Sequence, residues 1–266
     1  MELTFPNQLE TVRKGVLAQA ETLGQVAEIY ATALQHGGLV HVYANGHSRV
    51  TVEEMVVRMG ALTGFHAFLN TGLANFTDVV GANGVRLNQA IEKVEGLGAL
   101  LLNEYDIGPH DALVVVSATG TTAAAVDMAL AFNARYPNHP LIVLCSAEQS
   151  RNAPAKHSSG KNLHDVIEEA EHGFLLDNCM PYGDLTVTVA GQTGVYQVCP
   201  LSSIGALTIV QSLNELTIRE LDRRGVQHHV LRNMHLHDTV DSYDLWIRDQ
   251  RRRYARALNA SAGDAR

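Results

Sequence analysis

No run of apolar residues in this 266-residue chain approaches the roughly 18 that a helix needs to cross a bilayer. The opening Met-Glu-Leu-Thr-Phe-Pro has none of the marks of a signal peptide. Cysteine is scarce: Cys145, Cys179 and Cys199 are odd in number, far apart and never in Cys-x-x-Cys. That pattern reads as three buried or half-buried thiols in a reducing cytoplasm. Positive charge is also in deficit. With 20 Lys and Arg against 28 Asp and Glu, the net charge is -8 and the pI about 5.9, which argues against nucleic acid or an anionic membrane as main partner. The nucleotide signatures are missing as well. Gly160-Lys161 is followed by Asn162, with Ala155 where a phosphate loop needs its first glycine. Gly96-Leu97-Gly98 lies inside a helical pattern, with Leu101 at the third glycine position of a dinucleotide fingerprint. There is no internal repeat and no low-complexity linker.

What is present is ordinary core-forming material, 46% apolar, enough for one full core. Leu9 to Leu34 reads as one almost unbroken helix, stopped by His36-Gly37-Gly38. Strand patterns at 39–43, 65–69, 113–116, 141–145 and 174–176 then alternate with helical ones at 52–59, 86–105, 122–135 and 163–171. This βα alternation predicts an α/β fold with helices on both faces of a parallel sheet. Thr186–Val189 and Val195–Val198 flank a Gly-containing turn and predict an added hairpin. Ile204 to Leu221 is a long helix with apolar side chains on more than one face. Either the N-terminal helix, with Val16, Leu23, Val26 and Tyr30, or a second subunit must cover that surplus. The residues from about Asn259 read as a frayed tail.

Two strand-to-helix junctions carry the chemistry. At 113–132 a β-branched strand runs through Ser117, Thr119, Gly120, Thr121 and Thr122 into an Ala-rich helix. A helix start leaves backbone N–H groups unpaired and carries partial positive charge, so it attracts an anion. Ser117, Thr119 and Thr122 add hydroxyl donors, and Gly120 admits close approach. The second junction, Ala44-Asn45-Gly46-His47-Ser48, follows the strand at 39–43. In an open parallel sheet both loops share the edge where ligands bind.

These loops, with Glu53-Glu54 just inside the next helix, resemble the paired ligand loops of the sugar isomerase (SIS) domain family. The resemblance extends through His157-Ser158-Ser159-Gly160-Lys161, Asp177-Asn178-Cys179-x-Pro181-x-Gly183-Asp184 and Pro200-Leu201-Ser202-Ser203-Ile204-Gly205 to a branch of single-domain phosphosugar isomerases, over roughly 9–233. It implies a three-layer αβα sandwich around a five-stranded flavodoxin-like parallel sheet, in one domain over 1–258. That domain divides into an N-terminal helical segment (1–36), a core sheet (37–180) and a hairpin, long helix and extension (181–258), with 259–266 as tail. It further implies a sugar phosphate or related anionic sugar as ligand, no cofactor, and a homodimer or homotetramer. The sequence departs from the pattern at Ala44 (for glycine), at Thr119 (for serine) and across 228–237, where only Asn233 is retained.

An aldose–ketose isomerase needs a base between C1 and C2 and polar groups for the enediolate oxygens. Glu54 matches the second Glu of the family's basic pair and is the expected base, with Glu53 in reserve. An ion pair with Arg58 at i+4 is the bland alternative for Glu54. His47 and His157 are the other expected catalytic groups. Asn45, Gly46, Ser48, Ser117, Thr119, Gly120, Thr121, Thr122 and Lys161 are the expected substrate-binding set. A turn and a helix cap account equally well for Asp184 and Ser202. His228, His229, His235 and His237 lack a Cys or carboxylate at ligand spacing, so no metal is expected. A lyase resembling N-acetylmuramic acid 6-phosphate etherase and a sugar-phosphate sensor are the alternative activities.

Overall fold

A computed structural model describes residues 3–69, 85–233, 247–248, 250–255 and 257. His235, His237 and the expected tail fall outside them. The chain runs α1 (Gln8–Ala18), α2 (Ala20–Gln35), β1 (Val40–Ala44), α3 (Arg49–Met55), β2 (Phe65–Phe68), α4 (Val85–Ile91), α5 (Leu97–Leu102) and β3 (Ala112–Val116). It continues through α6 (Ala123–Arg135), β4 (Leu141–Cys145), α7 (Ala147–Asn152), α8 (Leu163–Glu169), β5 (Gly173–Asp177), β6 (Leu185–Gly191), β7 (Gly194–Pro200) and α9 (Ser202–Arg223). β1 to β5 form one all-parallel sheet in the order β2-β1-β3-β4-β5, and β6 and β7 form a separate antiparallel hairpin.

The central strands Ala-Leu-Val-Val-Val and Leu-Ile-Val-Leu-Cys are apolar at every position because both faces are covered. Alternate side chains feed two cores. Val40, Val42, Val114, Val116, Ile142 and Leu144 pack with α1, α2, α3 and α9. Tyr43, Leu113, Val115, Leu141, Val143 and Cys145 pack with α5, α6 and α8. The expected three-layer sandwich is therefore present. No α9 residue among Ile204, Ala206, Leu207, Ile209, Val210, Leu213, Leu216 and Ile218 is exposed, since α9 lies against α1, α2 and α3. Its surplus apolar surface is covered within the chain, the alternative in which the N-terminal helix is the partner.

Four element boundaries correct the sequence reading. The helix expected over 9–34 breaks at Gln19. The Gln19 carboxamide accepts from Asp177 N at 2.7 Å and donates to Asp177 O at 3.0 Å, so it serves as a pairing partner for the edge strand β5. The helix expected over 86–105 divides into α4 and α5 around Gly96, which adopts φ 87°. The helix expected to reach Met59 stops at Met55, before Val57 with φ 57°. α7 was not expected; Ser146 caps it by accepting from Gln149 N at 3.1 Å.

Gly205 fixes how α9 meets the sheet. A Cβ there would lie 1.7 Å from the carbonyl oxygen of Asn178, just beyond β5. Gly205→Ala is expected to cost about 1–3 kcal/mol as overpacking. Thermal unfolding checks this, and an unchanged melting temperature would show that the helix yields freely.

Candidate functional site

The strand order reverses between β1 and β3, and a crevice opens there at the carboxyl ends of the strands. Register sets Ala44 beside Val116, so Asn45 and Ser117 leave the sheet as neighbours. Gly46–Ser48 form a 3-10 turn leading into α3, with Gly46 at φ 55°. Gly120 adopts φ 72°, and a Cβ there would meet Ser150 Oγ at 2.6 Å and Cys145 Sγ at 2.8 Å. Internal packing alone therefore demands glycine at 120. Ser117 Oγ accepts from Gly120 N at 3.1 Å, and Thr119 Oγ1 accepts from Thr121 N at 3.3 Å and lies 3.0 Å from Thr121 Oγ1. Thr122 is the N-cap residue of α6, without a side-chain cap bond.

A cavity of about 30 Å³ joins the two junctions: His47, Ser48 and Thr51 line it from the first and Ser117 from the second. Asn178, Ser202 and Ser203 complete the wall. Asn178 donates to Ala118 O at 2.8 Å and accepts from Met180 N at 3.2 Å, so it braces the second loop. Asp184 accepts from Leu201 N and Ser202 N at 2.8 and 2.7 Å and from Ser202 Oγ at 2.7 Å. It caps α9 from outside the helix, which is the structural role the sequence left open.

A second group of polar side chains is buried towards α6. Tyr43 Oη, both polar atoms of the Asn45 carboxamide, Asn88 Nδ2 and Asp127 Oδ2 are buried with no hydrogen-bond partner. Burial pushes the Tyr43 hydroxyl's pKa far up; the neighbouring Asn45 carboxamide opposes the shift, and the charges of Asp127 and Glu92 add to it. Glu92 O accepts from Ala124 N at 3.0 Å, tying the chain after α4 to the start of α6. Burial likewise raises the pKa of Glu92. Buried polar groups without partners cost free energy, and native proteins hold few. Tyr43 is influenced by Asn45, Asp127 and Glu92, so these under-satisfied groups share one locality on the α6 face of the sheet.

Asp127 leads from this cluster to His157. His157 Nε2 lies 2.9 Å from Asp127 Oδ1, and its Nδ1 lies 2.8 Å from Ser159 Oγ. Both side chains are about nine-tenths buried. Glu95 stands 3.9 Å from the same imidazole. It accepts from Ser158 N and Oγ, which hold its carboxyl below the usual range. Sequence reasoning selected His157 and missed Asp127, Asn88 and Tyr43. Asp127 had one signal, a charge on an otherwise apolar Ala-rich helix.

Glu54 lies elsewhere. Arg58 Nε reaches both its oxygens at 3.2 Å and Gln211 Nε2 donates to it at 2.6 Å. It borders a separate small cavity with Tyr30, Met55 and Phe65. Glu53 pairs with Arg49 at 3.1 Å on the surface, and Lys161 pairs with Glu169. The stretch from His228 runs along 60–63, ahead of β2, where Thr63 N bonds His229 O and Leu231 N bonds Ala61 O. That is the opposite edge of the sheet from the crevice.

Among the described residues, His164, Asp165 and Glu168 offer ligand atoms within 4.8 Å of one another. His164 Nε2 already accepts from Arg151 at 3.0 Å, however, and Asp165 accepts from Asn162 N at 2.7 Å. Burial pushes the Cys145 and Cys179 thiols up to about 12 and about 11, which makes both poor nucleophiles. No helix among the described residues is long and apolar enough to cross a membrane.

The model of a family described as SIS domain matches residues 5–146, more than half of the chain. A UPF0309 protein of Shouchella clausii is 28% identical over 88% of this chain and 89% of its own. A UPF0309 protein of Streptomyces griseus is 28% identical over 81% and 80%. Among solved structures, a candidate phosphosugar isomerase involved in capsule formation, from Bacteroides fragilis, is 14% identical over 84% of this chain and 90% of its own, with a TM-score of 0.41.

Proposed function

Since this chain belongs to the SIS domain family, we propose that it binds a sugar phosphate, or a similar anionic sugar, between β1 and β3 and interconverts its aldose and ketose forms. The observation that carries the reading is the set of unpartnered buried groups on Tyr43, Asn45 and Asp127, on the α6 side of the first loop, with a hydroxyl-lined cavity on its α9 side. A polyhydroxylated ligand supplies donors and acceptors to the first, and its anionic end fits the second. Asn45, Gly46, Ser48, Ser117 and the turn of Thr119, Gly120, Thr121 and Thr122 receive the anion, with Lys161 at the rim. His47, exposed beside the cavity, assists ring opening.

Isomerisation moves one proton from C2 to C1 and one from O2 to O1, through an enediolate. His157 takes and returns the carbon proton at Nδ1, exchanging its contacts with Ser159 for the sugar, and Asp127, 2.9 Å from its Nε2, orients the ring and steadies the charge it gains. Glu54 is the competing base; the specific observation in its favour is a carboxylate on the helix that directly follows the first loop.

A thermal-shift panel tests the ligand class. An aldose phosphate at 100 times its dissociation constant is expected to stabilise the fold by about 2.7 kcal/mol, and the same sugar without phosphate by much less. Equal shifts from both would overturn the anion site. Solvent deuterium appearing at the sugar carbons tests the isomerase, and binding without exchange would favour a sensor. Ser117→Ala is expected to weaken binding by roughly 1.5–3 kcal/mol, the worth of a hydrogen bond to a charged group. Thr119→Val asks the same of the turn by titration calorimetry; unchanged affinity in both variants would remove the anion from these loops.

A further inference from the structure

Among the described residues, the hairpin β6–β7 stands apart from the other elements. No residue from Leu185 to Pro200 is buried, and the hairpin makes no extended contact with any other described element. A two-stranded hairpin alone in water is marginally stable at best. Its register pairs Leu185 with Pro200, Val187 with Val198 and Val189 with Tyr196. Directly opposite residues share a face and successive residues alternate, so these six side chains form one apolar face. Leu185, Val189 and Tyr196 are 43%, 47% and 46% exposed. Leu185 to Pro200 also holds no Asp, Glu, Lys, Arg or His, in a chain that is 18% charged.

We propose that this hairpin is an arm that clasps a second copy of the same chain, the two copies exchanging arms about a two-fold axis. Two arguments choose the occupant. The first is charge: a face with no charged residue meets only another uncharged surface favourably, and interface cores are depleted in charge. The arm itself is such a surface, present in every copy, and a two-fold interface is self-complementary by construction. The second is area. Strands of this length span about 24 Å and a two-stranded ribbon is about 10 Å wide, so one face covers on the order of 240 Å². A single arm on a partner would bury about 480 Å² in total, the range of incidental contacts. Two reciprocal arms double this to about 1,000 Å², where specific interfaces begin.

The base of the arm is built to hold it in place. Asp184, in a left-handed conformation at φ 66°, fastens Leu201 and Ser202 across the neck of the hairpin. Gln149 accepts from Gly183 N at 3.0 Å. Ser202, at the base of the arm, also lines the cavity at the crevice. The inference does not depend on which reaction occurs there.

Light scattering with the full-length chain at micromolar concentration is the test. The unchanged protein is expected at twice 28.9 kDa or a higher even multiple. The double variant Val189→Lys/Tyr196→Lys is expected at 28.9 kDa with an unchanged circular dichroism spectrum, since both positions are already solvent-exposed in the single chain. A monomeric unchanged protein would overturn the proposal, and so would a double variant that keeps the parental mass.

Discussion

Replacing His157 by Gln is expected to lower turnover about 100- to 10,000-fold, the usual contribution of a positioned acid–base group, with little change in substrate affinity. Glutamine still offers a donor near Asp127 but cannot take a proton at neutral pH, so the loss falls on kcat. Asp127→Asn is expected to lose less. It leaves the imidazole in place and removes the charge that orients it, and its effect should nearly vanish in the His157→Gln background because the two act as a unit. Glu54→Gln is expected to stay within a few-fold of the parent, since Arg58 and Gln211 already occupy that carboxylate. Deuterium wash-in with each variant decides the matter. A dead Glu54→Gln beside an active His157→Gln would move the proton transfer to α3.

The contrast between Glu54 and Asp127 marks where the sequence stops being readable. The alternation of apolar runs gave the sheet strands and their parallel direction, because a strand buried on both faces has no polar position to disguise it. The two strand-to-helix loops were readable as loops for a similar local reason, since glycine, asparagine and hydroxyl residues favour turns and helix starts. Asp127 was not. Its partner is His157, 30 positions later in the chain, and no periodicity connects the two. Gln19 hid in the same way, because its side chain completes the edge of β5, a long-range task that a helix pattern does not record. The surplus apolar surface read on α9 turned out to be covered by α1, α2 and α3 rather than left for a second subunit. An uncovered apolar face lies on the hairpin, whose alternating Val and Thr predicted its strands without revealing that no other described element packs extensively on them.

The largest effect on stability is expected at the opposite edge of the sheet, where Asp111→Asn should cost about 3–5 kcal/mol, as breaking a buried charged pair does. Asp111 and His41 are fully buried, with Asp111 Oδ2 2.9 Å from His41 Nε2. Asp111 Oδ2 also accepts from Gly108 N at 2.8 Å, and Oδ1 accepts from Leu39 N at 2.8 Å. His41 Nδ1 lies 3.0 Å from His66 Nδ1, so one carboxylate ties together β1, β2 and the approach to β3. An asparagine whose oxygen still serves Leu39 turns its amide hydrogens towards two groups that themselves donate. Burial alone would raise the Asp111 pKa. The hydrogen bond and charge of His41 and the amides of Leu39 and Gly108 outweigh it and hold the carboxyl at about 2, against an ordinary 3.8. A folded-state pKa below the unfolded one stabilises the protein above the unfolded value, and that stability is lost as pH falls through the folded value. The melting temperature of Asp111→Asn should therefore lie well below the parent at neutral pH, by about 6–20 °C for a chain of this size. The gap should narrow between pH 3.8 and about 2 as the parent loses its advantage. Equal melting temperatures at neutral pH, or a gap that persists unchanged into acid, would show that this carboxylate does not hold the three strands together.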